Sequence, residues 1–211
     1  MFTAGAPIGI DLDNTIVDYS DLFVALSRDF AHAGDAAAAG GKGAVRTAMR
    51  RLPDGEGKWQ QLQALVYGAR MAEARLIDGV LPFMAECRRR DIELRIVSHK
   101  TRYAAADPDG VDLRDASRSW LAASGILEVG GLDLDHVFFE DTRSDKIRRI
   151  RSLGCSFFVD DLDEVFAEQG FPESTIGLLF DPERNYPDGH RGLAVCRSWQ
   201  EISKNVFCGG R

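Results

Sequence analysis

Pro7-Ile8-Gly9-Ile10-Asp11-Leu12-Asp13-Asn14-Thr15-Ile16-Val17-Asp18 is the stretch on which the reading of this chain turns. Ile8, Ile10 and Leu12 form an apolar run that leads into two carboxylates one residue apart, Asp11 and Asp13. Alternate side chains of a β-strand share a face, so the spacing predicts that Asp11 and Asp13 point the same way. Two like charges at the mouth of an apolar strand are costly unless something offsets them. A divalent cation is the simplest offset, and hard oxygen ligands of this kind suit Mg²⁺. The plain alternative is a polar strand-to-turn junction with solvated aspartates.

Outward from that stretch, strand and helix patterns alternate. Leu22, Phe23, Leu26 and Phe30 predict a helix over 19–33, followed by an Ala/Gly-rich connector over 36–43. A second helix is expected over 44–51, stopped by Leu52-Pro53-Asp54-Gly55, and a longer one over 58–76. Beyond Asp78-Gly79 a short helix runs from Pro82 through Arg90, with Arg88, Arg89 and Arg90 in its last turn, where cations complement the helix dipole. A strand over 93–97 ends in Ser98-His99-Lys100-Thr101, and a helix follows over 112–124. Further strands are expected over 136–139, 156–159 and 176–180, with a short one near Ala194. Helices over 145–153 and from Ser198 complete the pattern.

The alternation predicts an α/β fold, a doubly wound and mostly parallel sheet carrying a small all-helical insertion. The division read from the pattern is a core of 1–18 and 79–211 with a helical cap at 19–78. In doubly wound sheets ligands bind beyond the carboxyl ends of the strands. Those ends carry Asp11 and Asp13, then Ser98, then Asp160 and Asp161, with Lys146 on the helix that feeds the last strand. Acids, a hydroxyl and a cation are what a phosphoryl-transfer site requires. Each has a plainer reading: Lys146 as a solvated member of an Arg-rich helix, Ser98 as a turn cap, Asp160 and Asp161 as caps of a helix over 162–168.

With these residues in order, the chain resembles the haloacid dehalogenase (HAD) superfamily, most of whose members are Mg²⁺-dependent phosphatases. D-x-D-x-T matches Asp11 to Thr15. The Ser or Thr ending the second strand matches Ser98, and the Lys ahead of the acidic strand matches Lys146. The acidic pair after an apolar strand matches Phe157-Phe158-Val159-Asp160-Asp161. The resemblance implies an HAD-like Rossmannoid core with Asp11 as nucleophile and Asp13 as general acid and base. It implies Mg²⁺ held by Asp11, the Asp13 backbone carbonyl and Asp160, with Asp161 a ligand through water or a support. Ser98 and Lys146 are then expected to bind the transferring phosphoryl oxygens, and Thr15 to hold the loop. Relatives that cleave carbon–halogen or phosphonate bonds lack an acid at the position of Asp13, which favours phosphate transfer here. Hydrolysis is the family's commoner outcome and is preferred to mutase chemistry.

An insertion in the cap's place suggests a small phosphorylated metabolite as substrate. His99, Lys100 and Arg102 make a cationic continuation of the second motif able to meet a second anionic group, or a solvated loop. Gln63, Tyr67 and Arg70 share a face of the expected long helix. The chain departs from many relatives in its long connection over 103–131, in having no Gly before Asp160 and in having no Pro after Lys146. A 5′-nucleotidase-like phosphatase and a catalytically idle module that binds a phosphorylated ligand are the alternatives.

Composition narrows the partners. A net charge of −7 over 211 residues argues against nucleic acid or an anionic membrane, which need clustered Lys and Arg. Four scattered cysteines without a C-x-x-C pair read as reduced thiols of a cytoplasmic protein. Neither a signal peptide nor a membrane span is expected. The expected assembly is a monomer or homodimer.

Overall fold

A computed structural model describes residues 5–30, 41–107 and 110–208. Its strands are β1 (Ile8–Ile10), β2 (Val17–Asp18), β3 (Arg75–Leu76), β4 (Leu94–His99), β5 (Val137–Glu140), β6 (Phe157–Asp160), β7 (Ile176–Phe180) and β8 (Ala194–Cys196). The main helices are α1 (Ser20–Ser27), α2 (Gly41–Arg50), α3 (Gly55–Tyr67), α4 (Val80–Arg89), α5 (Leu113–Ala123), α6 (Ile126–Gly130), α7 (Arg143–Leu153), α8 (Asp163–Ala167) and α9 (Trp199–Cys208).

Contacts divide the chain into two units. The first runs through Ile16, then Leu76–Lys100, then from Ser124 onward; the second is Val17–Arg75 with Thr101–Ala123. The first holds a six-stranded sheet in the order β5-β4-β1-β6-β7-β8, every pairing parallel. This is the doubly wound α/β architecture that the alternation predicts. Strands buried on both faces of such a sheet read as continuous apolar runs, as Phe157-Phe158-Val159 does.

The chain builds outward from β1 to β4 and β5, then returns to the other side of β1 for β6. The strand order thus reverses at β1, the place where an open α/β sheet forms its ligand crevice. Gly9 lets β1 lie against its neighbour: a Cβ there would sit 2.5 Å from the Phe158 ring. Below the sheet, Val97, Ile147, Ile150, Cys155, Phe158 and Val165 form one apolar cluster. Trp199 of α9 packs on Phe83, ring centroids 4.9 Å apart, and donates its indole N–H to the Thr15 carbonyl at 3.0 Å. That bond anchors the turn that follows the two aspartates.

The second unit is helical. Phe23 stacks on Trp59 with ring centroids 5.2 Å apart, and Tyr67 meets Tyr19 and Phe23 edge-on. The sequence division placed 101–123 with the core, whereas these residues pack within the helical unit. Trp120 donates its indole N–H to the Ala74 carbonyl at 3.0 Å, and Ser117 contacts the Met71 sulfur. The apolar face of α5, read from the sequence as Leu113, Ala116, Trp120 and Leu121, has Leu113, Ser117, Trp120 and Leu121 buried. Periodicity names that face but not what it packs against.

Two further readings change. The helix expected over 58–76 ends at Tyr67, because Gly68 leaves helical geometry at φ −112° and ψ −103°. Met71–Glu73 then forms a 3-10 turn and Arg75–Leu76 a strand paired with Val17–Asp18, so Arg70 is not on the helix with Gln63 and Tyr67. Of the connector over 36–43, residues 41–43 open α2; 36–40, like 31–33 of the first expected helix, lie outside the described residues.

Candidate active site

The amide of Asp11 donates to the Val159 carbonyl at 2.9 Å, carrying the β1–β6 ladder one residue past the last apolar position. Pairing with β6 thereby fixes the backbone of the first aspartate. The chain then turns. Asn14 takes a left-handed φ of 59°, which Asn tolerates better than most residues, and the Ile16 amide closes onto the Leu12 carbonyl at 2.9 Å. Thr15 is fully buried; its carbonyl receives Trp199, while its hydroxyl has no hydrogen-bond partner among the described residues. The main chain of Thr15, and not its hydroxyl, is what holds the loop.

Lys146 enters from α7. Thr142 caps that helix, accepting from the Asp145 amide at 3.1 Å, and Asp145 sits in the first turn where a carboxylate complements the dipole. From this fixed start Lys146 extends inward to 2% exposure and lies 5.4 Å from the Phe158 ring centre. Its ammonium donates to Asp11 Oδ1 at 2.5 Å and to Asp160 Oδ2 at 2.6 Å. The solvated reading of Lys146 does not hold.

Asp160 ends β6, fully buried. Its Oδ1 accepts from the Leu162 amide at 3.0 Å, so one oxygen shapes the turn into α8 while the other meets the lysine. Asp11, Asp160 and Asp161 each offer a carboxylate oxygen within 4.8 Å of the others. Ser98 is buried as the penultimate residue of β4, the strand beside β1.

Charge in this cluster is unbalanced. Burial drives the Asp11 carboxyl up to about 7 from an ordinary 3.8; Lys146 opposes that rise, while Asp160 and Asp13 add to it. For Lys146 burial disfavours the charge, but the two carboxylates outweigh burial and hold the amine more firmly protonated than usual. One ammonium between two buried carboxylates leaves negative charge over, and oxygen-only donors at this spacing fit a hard divalent cation.

Two expected residues lie differently. His99 is exposed, its ring nitrogen 3.1 Å from the Asp141 carbonyl, and it belongs to the far side of the β4 alternation from Ser98. Arg102 is drawn to Asp112 at 2.6 Å. Lys100, read from the sequence only as part of a cationic continuation, is instead 5% exposed with its ammonium 3.0 Å from Asp13 Oδ1. The period-two rule carried the signal for it, since Lys100 lies two residues beyond Ser98.

Asp163 was also missed. It accepts from Tyr186 Oη at 3.2 Å and from His190 Nε2 at 2.8 Å and forms an ion pair with Arg191 at 3.3 Å, pinning the 181–192 loop at the carboxyl end of β7. Asp181, 2% exposed, accepts from the Asn185 amide at 2.9 Å and the Tyr186 amide at 2.8 Å and pairs with Arg197.

No family model and no curated protein matches this sequence. Solved structures do. A HAD family hydrolase from Deinococcus radiodurans, solved with bound phosphate and sodium, is 16% identical with a TM-score of 0.57, covering 98% of this chain and 96% of its own. A predicted phosphoglycolate phosphatase from Haemophilus somnus is 13% identical with a TM-score of 0.57, covering 98% and 100%. An L-2-haloacid dehalogenase is 15% identical with a TM-score of 0.55, covering 97% and 99%. These likenesses extend over almost the whole of each chain.

Proposed function

From a chain with the fold of the haloacid dehalogenase hydrolases, we propose a Mg²⁺-dependent phosphoric monoester hydrolase that acts on a small phosphorylated metabolite through an aspartyl-phosphate. The observation that carries this reading is the buried Asp11–Lys146–Asp160 bridge with a second acid, Asp13, two residues beyond the nucleophile position. Structural likeness does not choose the reaction, since both a phosphatase and a dehalogenase share the fold. Asp13 chooses it. Halide leaves without a proton, whereas an alkoxide leaving group needs one, and only an acid beside the nucleophile supplies it.

In the proposed reaction an Asp11 oxygen attacks phosphorus while Asp13 gives its proton to the departing ester oxygen. The alcohol leaves, and phosphorus remains bonded to Asp11 as an acyl phosphate. A water molecule then attacks phosphorus and passes its proton to Asp13, which releases inorganic phosphate and restores both carboxyl groups. Lys146 offsets the repulsion between the Asp11 carboxylate and an incoming phosphate, and Ser98 offers a hydroxyl to a phosphoryl oxygen. Mg²⁺ held by Asp11, Asp160, Asp161 and the Asp13 carbonyl would neutralise charge between nucleophile and phosphoryl group. The helical insertion, in the sequence position of the family's cap, supports a small substrate.

A panel of sugar phosphates, nucleoside monophosphates and an aryl phosphate, with Mg²⁺ and with chelator, tests the proposal. Metal-dependent release of phosphate is expected, and Asp11→Asn should abolish it while keeping the melting temperature. No turnover of any ester with metal present would point to a binding module instead, and near-normal rates in Asp11→Asn would overturn the nucleophile.

A further inference from the structure

Lysine is among the residues least often buried without a charged partner. This chain nevertheless buries two within one unit, and they divide the acids between them: Lys146 takes Asp11 and Asp160, while Lys100 takes Asp13. The Lys100–Asp13 contact joins residues 87 apart in sequence. We infer that Lys100 is a positioning residue for Asp13, holding the acid–base carboxylate at the angle from which it reaches the leaving oxygen.

The inference rests on the hydrolase reading above and adds a part to it. Asp13 lies beyond β1, just before the left-handed Asn14 and inside the turn that the Ile16 amide closes onto the Leu12 carbonyl. A carboxylate there has two side-chain torsions to settle. Lys100 stands on a fixed base: its amide donates to the Glu140 carbonyl at 2.9 Å and continues the β4–β5 pairing beyond His99. From that base the ammonium reaches Oδ1 at 3.0 Å and fixes the rotation of the carboxylate.

Accessibility separates holding Asp13 from binding substrate. The Lys100 side chain is 3% exposed and that of Asp13 is 20% exposed. An incoming ester therefore meets the carboxylate, with the lysine behind it. Proton transfer needs donor and acceptor within hydrogen-bond reach, and a displacement of about 1 Å costs on the order of a hundredfold in rate.

The leaving group makes this testable. p-Nitrophenolate departs without a proton, whereas the alkoxide of glycerol phosphate needs one. With Mg²⁺ present, Lys100→Met is expected to lower kcat on glycerol phosphate by about 10- to 100-fold, hold kcat on p-nitrophenyl phosphate within about threefold and leave both KM values near wild type. In an Asp13→Ala background the same substitution should cost nothing further. Equal losses on both esters, a rise in KM alone, or full additivity with Asp13→Ala would each overturn the assignment. Should Lys100→Met fail to fold, Lys100→Gln with the same two esters gives the same comparison. A wild-type protein inert on both esters overturns the hydrolase reading along with the assignment, whereas an active wild type with equal losses overturns the assignment alone.

Discussion

Replacing Lys146 by Met removes the ammonium that lies 2.5 Å from Asp11 and 2.6 Å from Asp160 while keeping most of the side-chain volume. The change is therefore mainly one of charge. Both carboxylates are buried, and taking away one partner of a buried ion pair costs about 3–5 kcal/mol. For a chain of this size each kcal/mol moves the melting temperature by about 2–4 °C, so a fall of roughly 6–20 °C is expected in chelator. Two conditions should reduce the loss. Acidification to about pH 6 protonates Asp11 more fully, because its carboxyl already sits up to about 7 and rises further without the lysine. Mg²⁺ replaces the missing positive charge, and saturation at about a hundred times the dissociation constant is worth about 2.7 kcal/mol. Thermal melting followed by circular dichroism, at about pH 8 and about pH 6 with and without metal, reads all of this. Lys204→Met, an exposed change on α9, is the control and should stay within about 0.5 kcal/mol of wild type. If Lys146→Met melts no lower than Lys204→Met in chelator, or loses as much with metal as without, the lysine is not compensating the two carboxylates.

Asp11 sets a pH dependence for metal binding. Burial raises its folded carboxyl to about 7 against an ordinary 3.8, so in metal-free protein its contribution to stability is full below 3.8 and is lost as pH rises through about 7. Metal needs the carboxylate, so Mg²⁺ affinity measured by calorimetry should weaken below about pH 7 with proton release on binding; a flat profile would count against Asp11 as ligand. Gly9→Ala places a Cβ 2.5 Å from the Phe158 ring and should destabilise by about 1–3 kcal/mol in denaturant melts, and a neutral result would mean that β1 and β6 can separate at little cost. Asp163 behaves oppositely to Asp11: burial alone would raise its carboxyl, but hydrogen bonds from His190 and Tyr186 and the charge of Arg191 hold it below the ordinary range. Its stabilisation is present above the ordinary aspartate value and lost as pH falls through the folded one. Amide exchange over 181–192 should accelerate below about pH 4, and an acid-insensitive loop would show that Asp163 does not pin it.

Most of the sheet was legible because its signals are local. The strand over 176–180 coincides with β7, and Phe157-Phe158-Val159 could hardly be anything but a strand buried on both faces. The carboxylates at 11, 160 and 161 come together because parallel strands deliver their carboxyl ends to one side, a rule of topology that needs no coordinates. What stayed hidden was non-local or too short. β2 and β3 have two residues each, less than one period of alternation. The apolar face of α5 was plain, but its partners, the Ala74 carbonyl and Met71, lie some 46 residues back in the chain. His99 drew notice by chemical type, although alternation along β4 pairs Ser98 with Lys100. Asp163 carries no signal in the sequence, because Tyr186, His190 and Arg191 are brought to it only by the return of the chain after β7.

Charge explains why so many acids are tolerated together. Asp11, Asp13, Asp160 and Asp161 meet two ammonium groups, Lys100 and Lys146, which leaves a formal excess of two negative charges. A phosphate dianion approaching that excess is repelled, and at short range in a poorly solvated site the repulsion is strong. A divalent cation would cancel it and leave the incoming phosphate beside Lys146 without net repulsion. Metal and Lys146 would therefore have separable effects. Removing Lys146 would deepen the negative excess, drawing the cation harder while weakening hold on the phosphate. Removing a carboxylate does the reverse. A site in which metal affinity and phosphate affinity move in opposite directions on loss of Lys146 is one built for a metal bridged to an anion; a site that merely buried a salt bridge would lose stability with no such opposition.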